Sequence, residues 1–424
     1  MAIYVYMQGK LSQRPIFFSI LCVYLYVHGA VYPKPRKGYS RSHDAPCRTA
    51  GRFGIGAVAI QAVPHGSTRG GLLPGSYDKD GPVRISIAMA AYKGERFIRE
   101  QLDSLARQTL QPYELVITDD SPDNATYDMA VEFSRTVSFP VRIFRNEKRM
   151  GFHENFFKAI SLCEGDLVAF CDQDDVWRDD KLERVAREFA DPDVMLVVHA
   201  VKVVDGELNE RDDNTASHWS AYHGSYAPLT TNPWYTLYGM STVVRRSIYE
   251  YVDWRERPEH PIDPGNPMAH DAWAWFVATS LGKIVGIEDE LVQYRQHDAN
   301  CCGVPPDRDI GEKIKIAKSA GQAHYRRIAI SALARADKMR HVLRAAPSTI
   351  QRRAAAAADY YRSLGQRLEH RASLYGAATS RIRRAATFTG LLASGAYRPV
   401  AHGGLGLRAL LKDVHATVFR VSIE

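Results

Sequence analysis

The chain has 424 residues, with 55 Lys or Arg against 48 Asp or Glu, a formal charge of +7 and a sequence pI of about 9.0. An apolar content of 45% is ordinary for a globular protein, and the length leaves room for about two or three domains, so neither a disordered chain nor a bundle of membrane spans fits. The basic balance suits acidic partners (phosphates, anionic lipid or nucleic acid), and none of the six cysteines has C-x-x-C or zinc-finger spacing.

Residues 1–81 read as a poorly structured N-terminal extension. Ile16 to Tyr32 is an apolar run with Lys10 and Arg14 before it and Lys34, Arg36 and Lys37 after it. A spanning helix needs about 20 apolar residues, so the run is marginal, and charge on both flanks leaves its orientation open. A membrane-associated segment and a signal peptide stand as alternatives to a mis-started or disordered extension. Phe53–Ala59 contains G-x-G-x-x-A, but no strand precedes it, so it is set aside. Residues 66–81 are rich in Gly, Ser and Pro and read as a linker.

From Val83 onward, strands and helices alternate. Strands are predicted at Arg84–Tyr92, Glu114–Thr118, Val141–Phe144 and Leu167–Cys171, with helices at Arg96–Gln108, to about Arg135, and at Gly151–Cys163. This alternation predicts an α/β fold with a mostly parallel sheet and helices on both faces. Cys163 and Cys171 fall inside that core as small buried hydrophobes, which fits a reducing compartment. A fifth strand is expected at Val194–Val198, a loop over 205–235, a strand over Thr236–Arg245 around Gly239, a helix at His270–Leu281, and strands at Lys283–Ile287 and Leu291–Arg295. Asn124-Ala125-Thr126 is taken as a chance glycosylation match.

The pattern turns helical and basic from Ile310. Helices are predicted over about 311–344 and from Pro347-Ser348 to about Ala386. The second carries Ala354–Ala358 among Arg352, Arg353, Arg362 and Arg367, and reads as a bundle face rather than a nucleic-acid site. Leu405–Arg420 is a short amphipathic helix, read with equal weight as lying on an anionic membrane or packing on the core. The expected division is 1–81, 82–305 and 306–424.

The chemistry gathers where strands end. Asp172-Gln173-Asp174-Asp175 follows the fourth strand, Asp119 and Asp120 follow the second, and Ala90, Ala91 and Tyr92 close the first. Ligands of open α/β sheets sit at these carboxyl ends. Residues i and i+2 of an extended chain face one side, so Asp172 and Asp174 would repel unless a cation lay between them. Hard ions such as Mg²⁺ or Mn²⁺ bridge carboxylates to substrate phosphates. Small residues and a ring beside them would admit a planar base. The set suffices to hold a nucleotide diphosphate.

Residues 83–300 resemble a family 2 glycosyltransferase with the GT-A fold, a Rossmann-like architecture, here with a C-terminal helical extension. The match is carried by Ser86–Glu95, Gln101–Thr109, Asp119–Asp123, Asn146 with Gly151 and Asn155-Phe156, and Asp172–Trp177. The form D-Q-D-D-V-W is similar to the rhamnosyltransferase-like branch, whose members act on cell-surface polysaccharides. The resemblance implies that Ala90, Tyr92 and Glu95 line the nucleotide pocket and that Asp119 or Asp120 binds base or ribose. It implies that Asp172 and Asp174 hold the metal and sugar diphosphate, with Asp175 supporting them or touching the sugar. Tyr294–Asn300 resembles the branch's Y-R-Q-H segment. His297 would then complete the metal shell, and Arg295 or Gln296 would stabilise the leaving group.

The family's catalytic base sits on a later acidic motif, matched here to His270-Asp271, a departure from an acidic pair. Asp271 would be the base, kept ionised by the helix N-terminus, and His270 a structural or acceptor-orienting residue. The absence of Q-x-x-R-W argues against processive synthesis. The implied activity is inverting transfer of one sugar, with dTDP-rhamnose as a candidate donor and a saccharide or lipid-linked saccharide as acceptor. The implied location is cytoplasmic, peripheral on or anchored to the inner face of the membrane. Two competitors stay open. A nucleotidyltransferase would want a Gly-rich basic phosphate loop that Ala90–Glu95 does not provide. A nucleic-acid binder would rest on the basic tail alone.

Overall fold

β1 (Ile85–Ala91) runs through the middle of the sheet, flanked in parallel by β2 (Glu114–Asp119) and β4 (Leu167–Asp172). The computed structural model describes residues 83–211, 218–219, 222–235, 237–261, 263, 265–300, 320–342, 344–376, 378–400 and 404–418. The readings of residues 1–81, of Cys22, Cys47, Cys301 and Cys302, and of 311–319 lie outside the described residues.

The other strands are β3 (Val141–Arg145), β5 (Val176–Trp177), β6 (Val194–Val204), β7 (His218–Trp219), β8 (Gly224–Tyr226), β9 (Thr242–Arg245) and β10 (Lys283–Arg295). Among the described residues they form one sheet in the order β3-β2-β1-β4-β9-β6-β10-β5, with β7 beside β6 and β8 beside β10. β3, β2, β1 and β4 are parallel, as are β6 and β10, whereas β9 runs antiparallel between β4 and β6.

Alternate residues of the central strands enter two cores. Ile87, Met89, Ala169 and Cys171 pack with α1 (Ile98–Ala106), α2 (Ala125–Ser134) and α4 (Lys181–Glu188). Ala88, Val168 and Phe170 pack with α3 (Phe152–Leu162) and α6 (His270–Leu281). Burial on both faces is why these strands read as continuous apolar runs. Cys163 and Cys171 are buried free thiols, as expected. Thr126 is also buried and accepts the Gly94 N–H at 2.8 Å, consistent with a chance sequon.

Several boundaries differ from the sequence reading: the stretch 205–235, read as a loop, carries the short strands β7 and β8, which pair with β6 and β10. Thr236–Arg245 is not one strand: Gly239–Ser241 forms a 3-10 turn and only Thr242–Arg245 is extended. A Cβ at Gly239 would come within 2.9 Å of His270 Nε2, so the turn needs glycine to pass that ring. The two strands expected at 283–287 and 291–295 are one, because irregular pairing around Ile287–Val292 absorbs the polar Glu288–Glu290 without ending the strand.

The long second tail helix is also interrupted. α7 (Gln322–Arg340) and α8 (Ser348–Ala372) are followed by a 3-10 turn, and Ser380 caps a new helix, α9 (Arg381–Ala393), by accepting Arg383 N–H. The last helix is α10 (Gly406–Val418); the short α5 (Ile248–Tyr251) lies earlier, before α6. The tail shares the core of the α3/α6 face. Phe276 meets Tyr361 edge-on at 5.4 Å, Arg335 donates to Pro233 O at 2.6 Å, and Arg353 pairs with Asp193 at 2.9 Å. Ala354, Ala357 and Ala358 are buried, so that side of the Ala run is a packing face.

Candidate active site

Sheet register brings the predicted strand ends side by side. Asp119 pairs with Ala91, and Ala90 pairs with Asp172. The loop after β1 is clasped rather than free. Gln173 accepts Tyr92 N–H and donates to Tyr92 O, both at 2.9 Å, so its amide extends the sheet by one side chain. A Cβ on Gly94 would sit 2.2 Å from Gln173 Oε1, which is why a glycine stands there. Ser121 accepts Lys93 N–H, and Thr126 donates to the exposed Glu95. Gln173 was not singled out in the sequence; its signal was a lone amide between carboxylates.

The adjacent Asp119 and Asp120 have different surroundings. Asp120 accepts from Asn146 Nδ2 at 2.5 Å, Met150 N at 3.0 Å and Gly151 N at 2.7 Å, so it anchors the loop before α3. Asn155 links the same loop to the strands, accepting from Asn146 and donating to Thr118 O and Ala91 O. Asp119 accepts Ser121 N–H through Oδ1 at 2.9 Å, while its buried Oδ2 has no partner. Burial pushes the Asp119 carboxyl above its usual range. Of the two aspartates expected at base or ribose, Asp119 keeps an unpartnered oxygen, and that oxygen is buried. The anchored loop also places Arg149, which the sequence reading missed, over the Tyr92 ring at 4.2 Å.

The acidic loop beyond β4 is held from beneath. Asp175 is buried; one oxygen accepts Arg295 N–H at 3.0 Å and the other has no partner. Arg295 donates to Asp174 O and Gly206 O, pairs with Glu100, and lies over Phe97 at 4.5 Å. Its guanidinium, which the resemblance offered for the leaving group, is engaged in these contacts. Buried Lys181, also unforeseen, donates to Met240 O at 2.8 Å and sits 3.4 Å from the centre of the Trp177 ring. Burial pushes its ammonium down to about 7.

Asp172 is half-buried, and burial together with the nearby carboxylates of Asp174 and Asp271 raises its pKa. Asp174 accepts from His297 Nε2 at 2.9 Å, and the His297 ring stacks near Phe97 at 4.5 Å. His297, expected as a third metal ligand, is thus the partner of Asp174. Among the described residues no three His, Cys, Asp or Glu side chains form a ready metal cage. The donor chemistry still fits a hard divalent ion, because Asp172 and Asp174 supply carboxylate oxygens close enough for the Asp174 charge to raise Asp172. Magnesium commonly takes one or two carboxylates and fills its shell with water and substrate phosphate.

Asp271 lies in the first turn of α6, mostly buried, and accepts Ala272 N–H at 2.6 Å. The helix start was expected to keep it a weak base. Burial outweighs those amide bonds and raises it to about 6. His270 is stacked on Phe156 at 3.9 Å with neither ring nitrogen bonded, so its place is structural.

Residues 86–252 match the family described as Glycosyl transferase family 2. An uncharacterised glycosyltransferase of Nostoc sp. is 29% identical over 226 residues, covering 51% of this chain and 66% of its own length. The putative glycosyltransferase EpsH of Bacillus subtilis is 30% identical over 224 residues, covering 50% and 61%. The chain thus spans 66% or less of the length of these curated relatives. Among solved structures, S. aureus TarS aligns with a TM-score of 0.44 at 17% identity, over 80% of this chain and 54% of that one. A mannosyltransferase from Pyrobaculum calidifontis aligns with a TM-score of 0.36 at 19% identity, over 83% and 90%. Such distant likenesses carry no weight beside the sequence match and the strand order. Residues 86–252 thus carry a domain of the family 2 glycosyltransferase type, on a sheet of GT-A kind.

Proposed function

We propose that the protein transfers a single sugar, with inversion, from a nucleotide-diphosphate donor to a saccharide or lipid-linked saccharide. The α/β part to residue 305 would perform the chemistry and residues 306–424 would support it. The observation that carries the reading is the register of the strand ends, which sets Asp119 beside Ala91 and Asp172 beside Ala90. A buried carboxylate poised to take a proton stands within electrostatic reach of the loop that would hold the activated sugar.

Asp119, with its buried, unpartnered Oδ2, would accept from the base or ribose, while Ala90 leaves room and Tyr92 offers a ring face. Glu95, at the exposed rim, would line the same pocket. Asp172 and Asp174 would hold Mg²⁺ or Mn²⁺, which would neutralise the diphosphate and the charge that develops as it leaves. Asp175 would keep the loop in place through Arg295. Asp271 would take the acceptor hydroxyl's proton as the new glycosidic bond forms; a modest base suffices because that proton leaves only as the donor bond breaks.

The D-Q-D-D-V-W segment supports dTDP-rhamnose as the first donor to try, in synthesis of a cell-surface polysaccharide. The acceptor would be lipid-borne or polymeric at the cytoplasmic face of a membrane, met peripherally. Nucleic acid has no place in this reading. Purified protein should be screened against a panel of nucleotide sugars for donor hydrolysis. Release of nucleoside diphosphate from one donor supports transfer chemistry, release of pyrophosphate would mark a nucleotidyltransferase, and no turnover with any donor would overturn the reading.

A further inference from the structure

α10 is amphipathic, yet it is mounted backwards for a helix on a soluble surface. Its charged side faces inward. Asp413 is fully buried and accepts from Arg371 Nε at 2.9 Å, Tyr375 hydroxyl at 2.6 Å and Tyr397 hydroxyl at 2.9 Å. Lys412 donates to Ala320 O at 2.8 Å and to Tyr325 hydroxyl at 2.9 Å. Ala409 and Ala416 complete the buried side.

The opposite side is an apolar stripe. Leu407, Leu411, Val414 and Val418 recur at i, i+4, i+7 and i+11, which is one helical face. Leu407 and Val418 are each 60% exposed and Val414 is 40% exposed. α9, which packs beside α10, leaves Ile382 84% exposed between the exposed Arg381 and Arg383, and exposes Leu392 near its end. Singly exposed apolar residues are ordinary; a continuous stripe is a docking surface.

Charge decides what docks. From His370 to Val418 the sequence holds seven Lys or Arg and a single carboxylate, Asp413, which is buried. Arg381, Arg383 and Arg398 are exposed. A second copy would bring this cationic face against itself. An anionic bilayer offers both hydrocarbon for the stripe and phosphate for the arginines. No helix among the described residues is long and apolar enough to cross a membrane, so contact would be interfacial. We propose that α10, with α9 beside it, seats the protein on an anionic lipid surface. This surface would serve the lipid-borne acceptor proposed above, and its test needs no sugar transfer.

The test is co-sedimentation of the full chain with phosphatidylcholine vesicles, with and without phosphatidylglycerol, over a salt series. The wild type should pellet with the anionic vesicles only, and less as salt rises. Leu407→Gln/Val414→Gln/Val418→Gln should weaken that binding by about tenfold or more, because it removes the buried apolar area. Arg381→Gln/Arg383→Gln should flatten the salt dependence. These sites are exposed, so an unchanged melting temperature confirms the fold, and donor hydrolysis in vesicle-free solution should match the wild type. Three results would overturn the proposal: indifference to both vesicles, undiminished binding by the triple variant (which would place contact elsewhere, such as residues 16–32), or a dimer that the triple variant dissolves without any vesicle binding.

Discussion

The guanidinium carbon of Arg149 lies 4.2 Å from the centre of the Tyr92 ring. Lys93 Nζ lies 5.7 Å from the same centre, so two cations attend this ring beside the strand ends. An exposed cation–π contact is worth about 0.5–1 kcal/mol, or roughly 2- to 5-fold in affinity. Arg149→Ala should therefore raise the donor KM by about that factor, with kcat unchanged, in steady-state assays. A lower KM would mean that Arg149 plugs the ring rather than prepares it.

Two neighbouring aspartates should separate cleanly. Asp120→Ala removes the shared acceptor of Asn146, Met150 and Gly151 and leaves three part-buried donors without it. A loss of about 2–4 kcal/mol in unfolding free energy is expected from denaturant titration. Asp119→Asn keeps the bond to Ser121 within reach and should cost little stability, while weakening donor binding by calorimetry. Equal effects at both positions would contradict this division of labour.

The buried Asp271 carboxyl makes a pH prediction. It must be ionised to accept a proton, and burial raises it to about 6. The kcat/KM profile should climb through about pH 6 and level off above it. Asp271→Asn should lose about 10²–10⁴-fold in rate and the acid limb with it. Stability should move the other way. A carboxyl raised on folding costs stability as pH rises from its unfolded value near 3.8 through 6, and the cost stays at higher pH. The variant should thus be about 1–3 kcal/mol more stable than wild type at pH 7, with the gain fading towards pH 4.

Metal removal tests the acidic loop. Chelation should abolish donor binding in calorimetry, and Mn²⁺ or Mg²⁺ should restore it. Asp174→Ala should bind donor no better with Mn²⁺ than without. Donor binding that ignores both chelator and Mn²⁺ would remove the ion from the proposal.

Much of this molecule was legible along the chain. β1, β2 and β4 emerged because each is buried on both faces, the edge strand β3 because its residues are β-formers, and the helices because each alternates at its own period. Asp172-Gln173-Asp174-Asp175 stood out because carboxylates seldom end an apolar run. What local pattern could not supply was partnership. Asp119 and Asp120 look alike in sequence; only the loop folded back from Met150 and Gly151 makes Asp120 an anchor, while Asp119 keeps a buried oxygen without a partner. That His297 meets Asp174, and that the Arg295 backbone N–H holds Asp175, was likewise invisible in the sequence.

The remaining differences have the same origin. Gly239 breaks an apparent strand because His270 lies against it, and Tyr375 stops a helix to reach Asp413. The amphipathic pattern of α10 was plain from its sequence, but which side it buries was not. Periodicity fixes that a helix has two faces. Only the contacts of Lys412 and Asp413 with Tyr325, Arg371 and Tyr375 decided that the charged face turns inward and the apolar one outward. Hydrogen bonds between segments distant in sequence carry that choice, and no local propensity encodes it.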